Sequence, residues 1–331
     1  MTPILNTAQL FLLAGVLFLA IGSFATNLIV RALGPRLARW DPRARHRAIV
    51  VVAALPIILA AALLFAASLP SLVSLALPGR DHCVVHDDGH AHLCFVHLPP
   101  SGIHLGWLVA LVAVALVPFV RGAMAIRRVR AAESIVAALA ATGEHHVELG
   151  ITIVESVQPL CFTAGLLRPR VLLSRGLFEA LTSDERSVVF AHELAHVRRR
   201  DALIAGMVHM LGVLHTPHIR RWLARELAVA AEQACDEEAA TSIRDRVAVA
   251  ATVLSVERMT RDAGLAALDP VAVAFGACAV KRRVESLLGD PLPPHSLRRA
   301  GFIVGTALAT VLVLANEVHH LTESLLSVVA H

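Results

Sequence analysis

Residues 182–199 read TSDERSVVFAHELAHVRR, and the reading of the whole chain turns on this stretch. Thr182-Ser183-Asp184-Glu185 is a capping box with two acids in the first turn, so a helix is expected to open there. His192 and His196 are four residues apart, which on a helix stacks both imidazoles on one face within reach of one ion. Glu193, beside the first histidine, then stands where it can take a proton from a zinc-activated water. A surface helix that merely carries His and Glu is the plainer alternative. The surroundings argue against it.

With 331 residues, 56% of them hydrophobic, and a mean hydropathy of +0.67, the chain is far more apolar than an ordinary soluble protein. Ala48 to Leu69 and Leu98 to Val120 carry no charge, and Ala8 to Val30 has only Gln9, Ser23, Thr26 and Asn27 as polar residues. Ala300 to Asn316 is uncharged but sits at the lower limit for crossing roughly 30 Å of hydrocarbon. Buried soluble helices rarely run past about 20 residues without charge, so four transmembrane helices are expected, near 8–30, 48–69, 104–124 and 299–316.

Arginine placement sets the expected orientation. Arg31, Arg36, Arg39, Arg43, Arg45 and Arg47 lie between the first two spans, and Arg121, Arg127, Arg128 and Arg130 follow the third. Arg298 and Arg299 precede the fourth, whereas the loop between spans two and three has Arg80 alone. The positive-inside bias places both termini outside, and the start, which has no Lys or Arg before its apolar run, reads as an uncleaved anchor. The pI of 9.1 is therefore mostly topology, and no direct nucleic-acid binding is expected. Of five cysteines, Cys83 and Cys94 fall in the outside loop and could form a disulfide; Cys161, Cys235 and Cys278 fall inside.

These runs divide the chain into a membrane region, 1–124, with a His-rich outside loop at 78–104, and a cytoplasmic domain, 125–298. The fourth span, 299–316, and a short outside tail, 317–331, complete it. Within the cytoplasmic domain, Ser134 to Thr142 reads as a helix and Val147 to Ser156 alternates as a strand does. Cys161-Phe162-Thr163 and Val171-Leu172-Leu173-Ser174 read as short strands around a turn at Gly165 to Pro169. Asp201 to His215 is apolar but too short to span. A polar helix is expected from about Ile219 to Ile243, a loop over Asp269 to Gly276, and a basic helix from Val280 to Leu288.

Two histidines leave zinc short of ligands, because catalytic sites use three protein ligands plus water. A third histidine in the metzincin pattern is excluded, since Arg199 and Ala202 occupy its glycine and histidine places. A glutamate from a later helix must serve, and Glu226, Glu232, Glu237 and Glu238 compete for the role. Glu232 is favoured because Asp236 lies one turn on, where it can hydrogen-bond a ligand histidine. No oxyanion donor is evident; the chain has no tyrosine, and His215 and His218 are the weak candidates. Val171 to Ser174 is a candidate sheet edge on which an extended substrate could add as a strand.

Ala164 to Ser174, Ala191 to Asp201 and Glu232 to Ala239 together resemble the BlaR/MecR-type membrane metallopeptidases, a gluzincin family related to the HtpX and CAAX-protease membrane peptidases. The resemblance covers roughly Leu149 to Leu288. It implies a mainly α fold: a four-helix transmembrane region with a cytoplasmic α+β gluzincin zinc-peptidase domain inserted before the last span. It also implies one zinc ion held by His192, His196 and Glu232, Glu193 as general base, Asp236 behind the ligands, and a structural role for Asp201. The antibiotic-sensing members carry a penicillin-binding domain after the fourth span. Here only 317–331 follow, without Ser-x-x-Lys, so β-lactam sensing through such a domain is not expected. The expected partners are a protein or peptide substrate, for which the resemblance suggests a BlaI-type winged-helix repressor, and the lipid bilayer. A homodimer is compatible with this reading.

His82, His86, His90, His92, His97 and His104 crowd the outside loop with Cys83, Cys94, Asp87 and Asp88. A metal- or pH-sensing loop and a plain solvated loop explain them equally well. For the whole chain, the reading is a membrane-embedded zinc endopeptidase acting at the cytoplasmic face in regulatory or signalling proteolysis. The rival is a non-proteolytic membrane receptor with structural zinc, which would need no base at Glu193. A metal transporter is disfavoured, because the spans offer few polar groups to line a path.

Overall fold

The structure is a computed structural model and describes residues 3–77, 93–95, 105–146, 150–166, 168–263, 270–290, 292 and 298–330. Its first half is three long helices: α1 (Pro3–Leu37), α2 (Pro42–Ala76) and α3 (Leu105–Thr142). All three are long and apolar enough to cross a membrane. Asp41 caps α2 by accepting from the Ala44 N–H at 3.1 Å, and Pro42 occupies the first turn, where its missing N–H costs nothing. Small residues let α1 and α2 approach closely: a Cβ added at Gly22 would lie 2.9 Å from the Pro56 backbone.

The last span differs from expectation. Helix α10 (Arg298–Val313) ends at Leu314, and α11 (Ala315–Ala330) leaves it at a 70° bend. The pair makes a fourth crossing only when counted as one broken span. Residues 317–330, expected as an outside tail, are thus a helix. Leu326 packs with Leu10, Ala14, Phe18, Ala60, Ala67, Leu93 and Leu111 in one apolar cluster. Glu323 of α11 is buried and accepts from the Leu93 N–H at 3.0 Å.

The second half is the α+β part. Strands β1 (Glu144–His146), β2 (Ile151–Val154), β3 (Cys161–Ala164) and β4 (Arg170–Ser174) form one sheet in the order β1-β2-β4-β3. Strand β2 pairs in parallel with β4, while β1 and β3 run antiparallel to their neighbours. The strand expected over Val147 to Ser156 is therefore the shorter β2, preceded by β1; residues 147–149 lie outside the described residues. Gly165, at φ +102°, makes the turn out of β3, a conformation only glycine adopts without strain.

Helices α4 (Arg175–Ala180), α5 (Ser183–Arg199), α6 (Asp201–Leu211), α7 (Pro217–Ile243), α8 (Arg246–Asp262) and α9 (Pro270–Leu288) complete the domain. Helix α5 starts with the capping box read at Thr182 and Glu185, both reciprocal bonds being present. The loop expected over Asp269 to Gly276 is instead the start of α9, with Pro270 at its first position, where proline favours a helix start. One face of α5 packs on the sheet through Val189 against Ile151, Ile153, Val171 and Leu173. Its Val188 meets α7 and α8 through Ala239, Ala240, Val249 and Val253. A third cluster joins Val30, Ile49 and Ala53 of α1 and α2 to Val208 of α6 and Ile219, Leu223 and Leu227 of α7. The membrane helices and the peptidase-like domain therefore share a core.

Candidate metal centre

On α5, His192 and His196 present their Nε2 atoms 3.2 Å apart. Helix α7 crosses beneath and brings Glu232, whose Oε2 is 3.4 Å from His192 Nε2 and whose Oε1 is 3.5 Å from His196 Nε2. Zinc bonds of about 2.0–2.1 Å in a tetrahedron place ligand atoms about 3.3 Å apart. The three separations fit that figure, so the donor set suits a zinc ion.

The far side of each imidazole is also occupied. His192 Nδ1 lies 2.9 Å from Asp236 Oδ1, and His196 Nδ1 lies 2.8 Å from Asp201 Oδ2. A carboxylate behind each ring fixes its tautomer and leaves Nε2 free to bind metal. Asp201, expected to be structural, is thus a direct hydrogen-bond partner of His196. It reaches His196 because Arg200 takes a left-handed conformation (φ 54°), breaking α5 from α6 and turning Asp201 back under the ring.

Arg283 of α9 ties the carboxylates together. It donates to Asp236 through Nε at 2.8 Å and through Nη2 at 2.7 Å, and its Nη1 is 2.9 Å from Glu232 Oε2. Burial alone would raise the pKa of Glu232 and Asp236, but the Arg283 charge and the histidines hold both below the ordinary carboxylate range. Burial likewise opposes charge on His192 and His196, yet hydrogen bonds to Asp236, Asp201 and Glu232 raise both.

The competing acids are engaged elsewhere. Arg282 clasps Glu226 with two bonds of 2.9 Å, Arg246 clasps Glu237 at 2.6 and 2.8 Å, and Glu238 faces Arg198 and Arg43. Cys235, with His196 and Asp201, forms another grouping of ligand types, but burial pushes its thiol up to about 11, which keeps the sulfur protonated. Glu193 is buried next to the three, and its Oε2 accepts from the Thr163 hydroxyl at 2.7 Å.

Two expectations are corrected. Val171 to Ser174 is not an edge, because β4 is paired on both sides; the edge strand next to Glu193 is β3. His215 donates to the Ala53 carbonyl at 3.0 Å and His218 lines a separate shallow pocket, so neither faces the cluster. The six histidines of the outside loop and Cys83 lie outside the described residues, which include only 93–95 of that loop.

A cavity of about 1260 Å³ opens over His192, Glu193, His196 and Glu232. Val188, Val249 and Val253 line it on one side, and Leu203, Met207 and Met210 on the other. Residues 98–287 match the model of a family described as BlaR1 peptidase M56. No solved structure matches the chain.

Proposed function

Since the chain belongs to the BlaR1 peptidase M56 family, we propose that it is a membrane-embedded zinc endopeptidase whose ligands are His192, His196 and Glu232. The observation that carries this reading is the spacing of those three ligand atoms, with Glu193 buried beside them. Asp236 and Asp201 would hold the two rings in the orientation that binding needs.

Bound there, zinc supplies Lewis acidity to the scissile carbonyl and to the attacking water. Glu193 takes the water's proton and delivers it to the leaving amine. The Thr163 hydroxyl keeps that carboxylate turned towards the cavity. An extended substrate pairs with the open edge of β3, whose backbone groups set its register, and places aliphatic side chains in the apolar lobes on either side of the centre. Arg130 and Glu133, also at the cavity, offer the polar contacts.

The arginines flanking the apolar runs support a peptidase domain, 125–298, on the cytoplasmic side, with both termini outside. A substrate there fits regulatory proteolysis, for which a BlaI-type repressor is the partner that the family suggests. A receptor that kept zinc for structure alone would have no use for a buried acid at Glu193. The test is proteomics of wild type against Glu193→Ala, with zinc measured in both. Loss of defined protein fragments in the variant, with zinc retained, supports the reading; unchanged fragments overturn it.

A further inference from the structure

The peptidase cluster is not built from the peptidase domain alone. His46 belongs to α2, in the turn before the uncharged run from Ala48 to Leu69, and it is only 4% exposed. Its Nε2 stands 3.5 Å from Asp201 Oδ1. Both atoms are buried and neither has a hydrogen-bond partner among the described residues, so each unsatisfied atom faces the other. The other oxygen of the same carboxylate, Oδ2, takes His196 Nδ1 at 2.8 Å, Arg199 Nε at 3.2 Å and Cys235 Sγ at 3.4 Å. With Oδ2 occupied by three partners, Oδ1 is the oxygen left to the His46 ring, the group from α2 that stands against it.

We propose that His46 is a positioning residue of the metal centre: through Asp201 it fixes the His196 ring, so that a membrane helix carries part of the ligand support. This rests on the assignment of His192, His196 and Glu232 as zinc ligands. The neighbouring residues of α2 reinforce the link. Arg45 donates to the side chain of Gln233, the residue after Glu232, and also to the Ala38 carbonyl at 3.2 Å. The same few residues of α2 therefore stand behind the second histidine and beside the glutamate on α7. Seating of α2 against α6 and α7 is thereby coupled to the geometry of two of the three ligands.

The coupling separates cleanly from a merely structural role. Arg43, on the same turn, faces Glu238 at 3.7 Å at the rim of the same interface, remote from the ligand rings. Zinc affinity is measured by chelator competition on the full chain in detergent, alongside the visible spectrum of the cobalt-substituted protein. Outer partners of ligand histidines contribute about 10- to 100-fold in affinity. His46→Ala is expected to weaken zinc by about that factor, shift the cobalt spectrum, and lower kcat with little change in KM. His46→Gln keeps an N–H at the reach of Nε2 and is expected to restore most of the loss, and Arg43→Ala to change neither readout.

Wild-type affinity in His46→Ala overturns the proposal, as does equal weakening in His46→Ala and Arg43→Ala. If the alanine variant fails to fold, His46→Phe, which fills the space without a donor, is compared with His46→Gln; equal zinc affinity in these two also overturns it. A wild-type protein that binds no stoichiometric zinc overturns the ligand assignment itself, a result distinct from failure of the His46 link.

Discussion

The hydroxyl of Thr163 stands 2.7 Å from Glu193 Oε2 and 3.2 Å from the Glu193 carbonyl oxygen, so an edge strand of the sheet holds the acid of the histidine helix. Thr163→Val keeps the shape and removes the donor. It is expected to cut kcat/KM about 10- to 100-fold, since a lost bond to a charged group costs about 1.5–3 kcal/mol, with zinc content unchanged. Thr163→Ser should retain most activity. Wild-type kinetics in the valine variant would remove Thr163 from the mechanism.

The acids of α7 should separate in a metal assay. Glu232→Ala is expected to lose stoichiometric zinc, measured by atomic absorption after dialysis. Glu226→Ala and Glu238→Ala should keep it, because those carboxylates pair with Arg282, Arg198 and Arg43. Asp236→Asn should bind zinc about 10- to 100-fold more weakly while folding normally. Retention of full affinity there would mean that the 2.9 Å approach to His192 has no energetic weight.

Metal binding should be linked to pH. Burial disfavours charge on His192 and His196, but their carboxylate partners raise both above the ordinary value of about 6.5. Their contribution to the metal-free fold is then complete below about pH 6.5 and lost as pH rises through the raised values. Asp201, Asp236 and Glu232, all lowered despite burial, contribute above about pH 4, and that part is lost as pH falls through their depressed values. Zinc needs the histidine nitrogens bare, so its uptake expels protons and its affinity climbs with pH. Calorimetry in buffers of different ionisation enthalpy should show net proton release on zinc binding at pH 7; a value of zero would contradict the arrangement.

Arg200 sits at φ 54° in the joint between α5 and α6. A non-glycine residue there costs on the order of 1 kcal/mol. Arg200→Gly is expected to raise stability by up to about 1 kcal/mol in thermal unfolding, with zinc affinity unchanged. Gly165→Ala, at φ +102° with a Cβ that would lie 2.6 Å from the Arg168 carbonyl oxygen, should do the reverse.

What could be read in advance was local. The capping box at Thr182, the four-residue histidine spacing and the first three uncharged runs each declare themselves within a few turns of chain, and the structure forms each of those helices. What escaped depended on pairing across the fold. Strand β4 is as apolar as an interior strand should be, but nothing in its residues says that β3 covers its other side. Asp201 follows an arginine, a residue type that gives no warning of a left-handed turn, so its return to His196 had no signal. Arg283 is 47 residues from Asp236, and only the packing of α9 on α7 brings them together. The final segment reads as a short tail, whereas pairing with the Leu93 backbone lets Glu323 be buried and α11 pack on the other helices.

Helix α2 runs unbroken for 35 residues, about 52 Å at 1.5 Å each. Near its start stand Arg45 and His46, against Gln233 and Asp201. From 21 to 25 residues beyond His46, about 32 to 38 Å away, the Ala67 carbonyl meets His319 Nδ1 at 2.5 Å and Ser71 accepts from the Phe95 N–H at 2.7 Å. Residues 93–95 of the histidine-rich loop and the buried face of α11 are therefore fastened to one end of a strut whose other end is fastened to the hydrolytic machinery. Any ångström of axial travel imposed at the far end arrives at His46 undivided, unless the strut flexes at Pro56 or Pro70.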